Sequence, residues 1–175
     1  TTVLKSVTLA SATSIGNYAF QNSGVTEVVA NNVESIGNNA FASSKLTAAN
    51  FEKATKIGDR AFVTCNNLET VKLGGVTEMG KETFLSSLAL KNVTFGNGTK
   101  VIGVSAFYAS SARANLISVV IPDGIEQIGE NAFFNCSALT TINLTGVKTI
   151  GDYAFYGCSS LENAALGTAA VSYTH

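Results

Sequence analysis

The chain has 175 residues, 46% of them apolar, and its 11 basic and 12 acidic side chains leave a net charge of −1. That length supports one domain with a substantial core. The near-neutral balance excludes a basic surface built for phosphate backbones or anionic lipid, and also an acidic tail that steers a charged partner.

Thr1 opens directly on a strand-like run with no charged leader before it. This is expected of a chain whose targeting signal has been removed, or of a piece of a longer protein. No apolar run is long enough to span a bilayer, since Asn, Ser and Thr interrupt them all. Proline occurs once and charged residues make up only 13%, a composition of many similar tight turns that calls for a search for repeats.

Leu4-Val7-Leu9 is the first of eight apolar-x-x-apolar-x-apolar stretches. The others are Val25-Val28-Ala30, Leu46-Ala49-Phe51, Leu68-Val71-Leu73, Leu90-Val93-Phe95, Leu116-Val119-Ile121, Leu139-Ile142-Leu144 and Leu161-Ala164-Leu166. The closing alternation in each predicts a short half-buried strand. Between them recurs Ile15-Gly16-Asn17-Tyr18-Ala19-Phe20, with further copies at Gly37, Gly58, Gly80, Gly103, Gly129 and Gly151. These seven copies lie 21 to 26 residues apart, in the range of leucine-rich repeats.

Each coil therefore reads as a strand, a turn, an apolar pair such as Val33/Ile36, and then the glycine. Glycine there is expected to allow a sharp turn or a positive φ. The residue after it (Asn17, Asn38, Asp59, Asp152) is expected to cap a short helical turn. That turn would point Ala and Phe inward, so that Phe20, Phe41, Phe62, Phe84, Phe107, Phe133 and Phe155 form one spine. Burying each ring stabilises by roughly 1.5–3 kcal/mol. No coil buries its apolar residues alone, and stability is shared along the array.

The strand "LTTINL" followed by "VKTIGDYAFYGCSSLENAAL" resembles the BspA-like, or Treponema-type, class of leucine-rich repeat across essentially the whole chain. The departures are the shortage of proline, with only Pro122 present, and the residues Met79, Thr83 and Ala164. The resemblance implies an α/β repeat solenoid: a right-handed superhelix of about eight coils in a single domain, 1–175. A parallel β-sheet would lie on one face and short helical or irregular turns on the other. It also implies a non-catalytic recognition or adhesion module outside the cell or on its surface, contacting a host or matrix protein. The alternative is a structural subunit that stacks end to end with other copies of itself.

The chemistry-bearing residues read as structural. Cys65, Cys136 and Cys158 share a repeat position with Ser23, Ser44, Ser87 and Ser110, the mark of a small buried site with a weak hydrogen bond to make. Cys136 and Cys158 lie on adjacent coils within possible disulfide range, although in-register side chains point the same way. The one histidine is the last residue, His175, which removes Ser-His and Cys-His pairs and His-based zinc sites. No acidic pair repeats at a spacing suited to acid–base work, and "GNGTK" (96–100) reads as a turn. No cofactor and no nucleic-acid partner is expected. The sequons at Asn92, Asn97, Asn135 and Asn143 are no more than this Asn, Ser and Thr content produces by chance.

Surface is what remains. On the strand face the candidate partner-binding residues are Glu27, Asn50, Glu69, Thr70, Lys72, Asn92, Thr94, Thr141 and Asn143. This ribbon is small and mainly neutral, lacking the Trp, Tyr or Arg anchors that usually carry binding energy. Its threonines hold no single column, unlike a surface made for ice or a crystalline polysaccharide. A second candidate is the bulge at 108–115, "YASSARAN", three residues longer than its counterparts and carrying Tyr108 and Arg113. After Leu166 the template dissolves, the expected Ile-Gly falling on Ser172 and Tyr173; the ends are expected to meet further repeats, other domains or other copies.

Overall fold

The computed structural model describes residues 4–111 and 115–166, the last four by their backbone. Arg113, Ser172, Tyr173 and His175 lie outside the described residues. In chain order the strands are β1 (Ser6–Thr8), β2 (Ser14–Ile15), β3 (Glu27–Val29), β4 (Ser35–Ile36), β5 (Ala48–Phe51), β6 (Lys56–Ile57), β7 (Thr70–Leu73) and β8 (Glu78–Met79). They continue as β9 (Asn92–Thr94), β10 (Val101–Ile102), β11 (Ser118–Val120), β12 (Gln127–Ile128), β13 (Thr141–Leu144), β14 (Thr149–Ile150) and β15 (Asn163–Leu166).

Odd strands pair only with odd strands and even with even, always in parallel. The result is a parallel-strand solenoid with two β ladders. The longer strands form a six-stranded sheet, β15-β13-β11-β9-β7-β5, and a separate pair, β1-β3. The two-residue strands, which the sequence showed only as the apolar pair before each glycine, form a second ladder of four and then three strands. The uninterrupted main sheet thus spans six turns rather than the expected eight or so. Between β3 and β5, where Ala48 and Ala49 replace bulkier strand residues, Thr47 makes the crossing bonds, its N–H and Oγ1 both donating to Thr26 O.

The second ladder breaks between β8 and β10, at a residue that departs from the template. Gly58 and Gly80 donate their N–H to the carbonyls of Ile36 and Ile57. Gly103 instead donates to the sulfur of Met79, at 3.4 Å.

The expected helical turn is absent: no described residue is helical, which corrects the α/β assignment. The backbone hydrogen bonds explain why. Tyr18, Phe20 and Asn22 donate to the carbonyls of Asn38, Ala40 and Ala42 on the next coil, at 2.7–2.9 Å. The residues between, Ala19, Gln21 and Ser23, donate three positions back along their own chain. A helix would direct all of these N–H groups locally; here alternate ones bind the neighbour. Aiming them along the axis requires a left-handed residue two positions after the glycine and, in most coils, another four further on. Tyr18 and Asn22, Asn39 and Ser43, and Arg60 and Thr64 accordingly have φ of 51–60°. Each costs on the order of 1 kcal/mol, offset by the inter-coil bonds.

The roles of glycine and asparagine change with it. The repeat glycines are not the positive-φ ones, which are Gly98, Gly124 and Gly157. From Gly37 onward they are required by close approach, since a Cβ on Gly37 would lie 2.6 Å from Asn17 N and one on Gly58 2.4 Å from Asn38 Oδ1. Asn17, Asn38 and Asp59 do not cap a local helix. Each side-chain Oδ1 accepts the N–H of the residue one coil on, respectively Asn38, Asp59 and Lys81, at 2.7, 2.9 and 3.0 Å.

Inside this frame the seven spine phenylalanines stand in one file, with centroids 5.1–5.3 Å apart and planes within 11° of parallel. Phe51 and Phe95 lean against the file from the strand side. Thr83, which replaces the template alanine, is fully buried and satisfies its hydroxyl by donating to Gly80 O at 2.8 Å.

Candidate functional site

Because the main sheet is in register, the outward side chains of its strands form columns. Ala48, Thr70, Asn92, Ser118 and Thr141 make one, and Asn50, Lys72, Thr94 and Val120 another. All nine strand-face candidates are exposed. The structure separates those already engaged from those that are not. Glu69 pairs with Lys91 on the next coil at 2.9 Å. Asn143 turns its Oδ1 onto Thr145 N and Oγ1, at 3.0 and 2.6 Å. Asn50, Lys72 and Thr94, adjacent in one column, make no side-chain hydrogen bond or ion pair among the described residues, and neither does Glu27.

The face also has an interruption. β11 and β13 pair only through Ser118 and Thr141, beside the longest coil, and a shallow cleft opens there between Val120 and Asn143. Val120 stands 52% exposed at its edge.

Of the bulge candidates, Tyr108 lies within the described residues and Arg113 outside them. Tyr108 is half-buried, because its ring stacks on Phe134 at 4.8 Å. Phe134 stacks in turn on Tyr156 at 4.9 Å. This second aromatic file was legible in the sequence as the position following each spine phenylalanine, but strand-centred reasoning passed over it. Ser110, expected in the Ser/Cys column, is exposed. Cys136, on the next coil, donates to Phe107 O at 3.3 Å.

The thiols are held by burial and hydrogen bonding. Cys65, Cys136 and Cys158 donate to Phe41 O, Phe107 O and Phe133 O of the preceding coil, at 3.0–3.3 Å. Ser87 does the same to Phe62 O at 2.6 Å. All three cysteines are free. Burial pushes the Cys65 and Cys158 thiols up to about 11 and the Cys136 thiol higher still, so they stay protonated and poorly nucleophilic at neutral pH. Among the described residues no three His, Cys, Asp or Glu side chains gather as a metal site, and no helix is long and apolar enough to cross a membrane.

Among the described residues five ion pairs tie coil to coil. Lys56–Glu78, Arg60–Glu82 and Lys148–Glu126 each bridge neighbouring turns. Lys148, chiefly through its hydrogen bond, and then Lys100 hold the Glu126 carboxyl below the usual range.

Two interlocked ladders, a phenylalanine file and glycines that admit the neighbouring backbone define a leucine-rich-repeat solenoid. The chain belongs to the family described as the BspA type leucine rich repeat region, whose model matches residues 1–114 and 111–174 in six copies. Among solved structures, a leucine-rich repeat protein of T. pallidum is similar at TM-score 0.69 and 23% identity, over 90% of this chain and 78% of that one. A leucine rich cell surface protein from Faecalibacterium prausnitzii is similar at TM-score 0.58 and 22% identity, over 93% of this chain. The match spans 60% of that protein's length. At these identities the likeness is one of fold. No curated protein is significantly similar in sequence.

Proposed function

We propose that residues 1–175 form a single solenoid domain, extended to about eight coils by β1 and β3, that serves as a non-catalytic recognition module outside the cell or on its surface. It binds a protein partner through the strand face. The observation that carries this reading is the column Asn50, Lys72, Thr94, whose exposed side chains are unengaged among the described residues, whereas Glu69 and Asn143 on the same face are already engaged. Family membership and the likeness to a cell surface protein of Faecalibacterium support the placement. The buried, protonated thiols support the absence of catalysis. The test is adhesion to an immobilised extracellular-matrix extract. Lys72→Glu with Thr94→Lys is expected to weaken it about tenfold, the loss of about 1.4 kcal/mol. Lys56→Ala on the second ladder is expected to leave it unchanged. Equal binding by the strand-face variant sinks the reading.

A stacking subunit is the second reading, favoured by Leu4, 57% exposed beside the edge strand β1. It requires concentration-dependent growth in light scattering, abolished by Leu4→Lys. A monodisperse monomer removes it.

A further inference from the structure

The two outward columns of the strand face carry few residues of strong character. Their only charged side chains are Glu27 and Lys72, and their only large apolar ones are Val29 and Val120. Neither the Glu27 carboxylate nor the Lys72 ammonium forms an ion pair among the described residues.

Val29 and Val120 are 38% and 52% exposed, and each marks a place where the strand ladder is open. β3 and β5 belong to different sheets, and a cleft lies between them beside Val29 and Asn50. β11 and β13 pair only through Ser118 and Thr141, which leaves the cleft beside Val120. A hydrogen bond accounts for the second opening. Gly74 and Gly96, just past the ends of β7 and β9, donate across the ladder to Phe51 O and Leu73 O. Thr145 holds the same place after β13, and its N–H goes to Asn143 Oδ1 instead. The end of β13 is thus tied to itself rather than to β11.

Glu27, Lys72 and Val120 stand on β3, β7 and β11, two strands apart in turn. With neighbouring strands about 4.8 Å apart, each interval is about 10 Å, which an extended peptide covers in about three residues.

We infer that the strand face binds an extended segment of a partner protein laid along the solenoid axis, carrying in order a Lys or Arg, an acidic residue and a Leu, Ile or Val, each three positions from the last. This rests on the strand-face reading and specifies its ligand. The acid pairs with Lys72. The cation pairs with Glu27, and its aliphatic stem lies over Val29, the next outward residue of the same strand. That stem also spans the one-column offset between Glu27 and Lys72. The apolar residue covers Val120 at its cleft. A second copy of the chain fits less well. A two-fold pair matches Glu27 to Lys72 only in a register centred on Asn50, which leaves Val120 opposite no described residue.

The probe is a capped nonapeptide with Lys, Glu and Leu at its second, fifth and eighth positions and threonine elsewhere. It is titrated into the whole chain and followed through the amide resonances of Lys72 and Val120. Saturable shifts are expected, weakening with added salt. Lys72→Glu should raise the dissociation constant about fivefold, and a peptide with lysine at its fifth position should recover the loss. Glu27→Lys should behave likewise toward a peptide with glutamate at its second position. Val120→Asn should weaken binding about threefold. Lys56→Ala, on the second ladder, should change nothing, and circular dichroism checks that each variant is folded. The proposal is overturned if the peptide fails to shift these resonances, if a peptide with Lys and Glu exchanged binds equally well, or if the reversed peptides rescue neither charge variant. Dimerisation in sedimentation that Lys72→Glu abolishes overturns it in favour of a second copy. If the peptide fails while Lys72→Glu with Thr94→Lys still weakens adhesion to the matrix extract, this inference falls and the strand-face reading stands.

Discussion

A Cβ built on Gly16, in the first coil, meets nothing within 4 Å; on Gly58, two coils later, it would lie 2.4 Å from Asn38 Oδ1 and 2.6 Å from Asn38 N. The same contrast recurs at the spine phenylalanine and in the Ser/Cys column. Phe20 is stacked by one ring and only half-buried, whereas Phe62 lies fully buried between Phe41 and Phe84. Ser23 Oγ is buried without a hydrogen-bond partner among the described residues, whereas Cys65 donates to the carbonyl of Phe41 one coil before. Equivalent positions thus differ in environment because each coil's constraints come from its neighbour, as a one-dimensional array requires.

The largest effects should separate these coils. Phe62→Ala is expected to destabilise by about 3–5 kcal/mol, and Phe20→Ala by about half of that, measured by urea unfolding. Gly58→Ala should cost several times more than Gly16→Ala, which is expected within about 0.5 kcal/mol of wild type, the usual range for a surface change. Equal costs at the two glycines would mean that local backbone conformation, rather than the neighbouring coil, demands glycine.

The thiol column gives a pH-dependent version. The folded-state pKa of Cys65 is raised from 9.0 to about 11 by burial, so above pH 9 the unfolded chain releases this proton while the folded chain keeps it. Stability attributable to Cys65 is therefore complete below pH 9 and lost between about pH 9 and 11, by roughly 2–3 kcal/mol in all. Tyrosines and lysines titrate in the same window, so the quantity to compare is the pH slope of wild type against Cys65→Ser. The serine variant should be flatter. Identical slopes would show that the thiol ionises as readily as in water.

Much of this was legible beforehand. The repeat period, the strands, the inward phenylalanines and the Ser/Cys equivalence follow from patterns one coil long. Their registers were readable because copies of one pattern stack only in phase. What the sequence concealed were interactions between coils that look local on paper. Asn17 and Asn38 after glycine carry the signature of a helix cap, and only the axial approach of the next coil makes them acceptors for its N–H. Likewise the two-residue second ladder is too short for periodicity to reveal. Of the candidate surface, exposure was readable from alternation. That Glu69 and Asn143 are already engaged depends on Lys91 and Thr145 lying within reach in space.

The amide ladder should show a middling effect and the buried serine the smallest. Asn38→Ala removes the acceptor for Asp59 N–H and is expected to cost about 0.5–1.5 kcal/mol, the net value of one hydrogen bond. Ser23→Ala runs the other way. Its hydroxyl is buried and unpartnered among the described residues, and a buried polar atom without a hydrogen bond carries a desolvation penalty of about 1–3 kcal/mol, which alanine removes along with a few packing contacts. The two terms oppose, so the melting temperature should stay level or rise slightly. In the third coil Cys65→Ala discards a made hydrogen bond and leaves a void, and should lower it. If Ser23→Ala destabilises as much as Cys65→Ala, the first coil finds a partner for its hydroxyl in solution and the contrast between the two coils fails at this position.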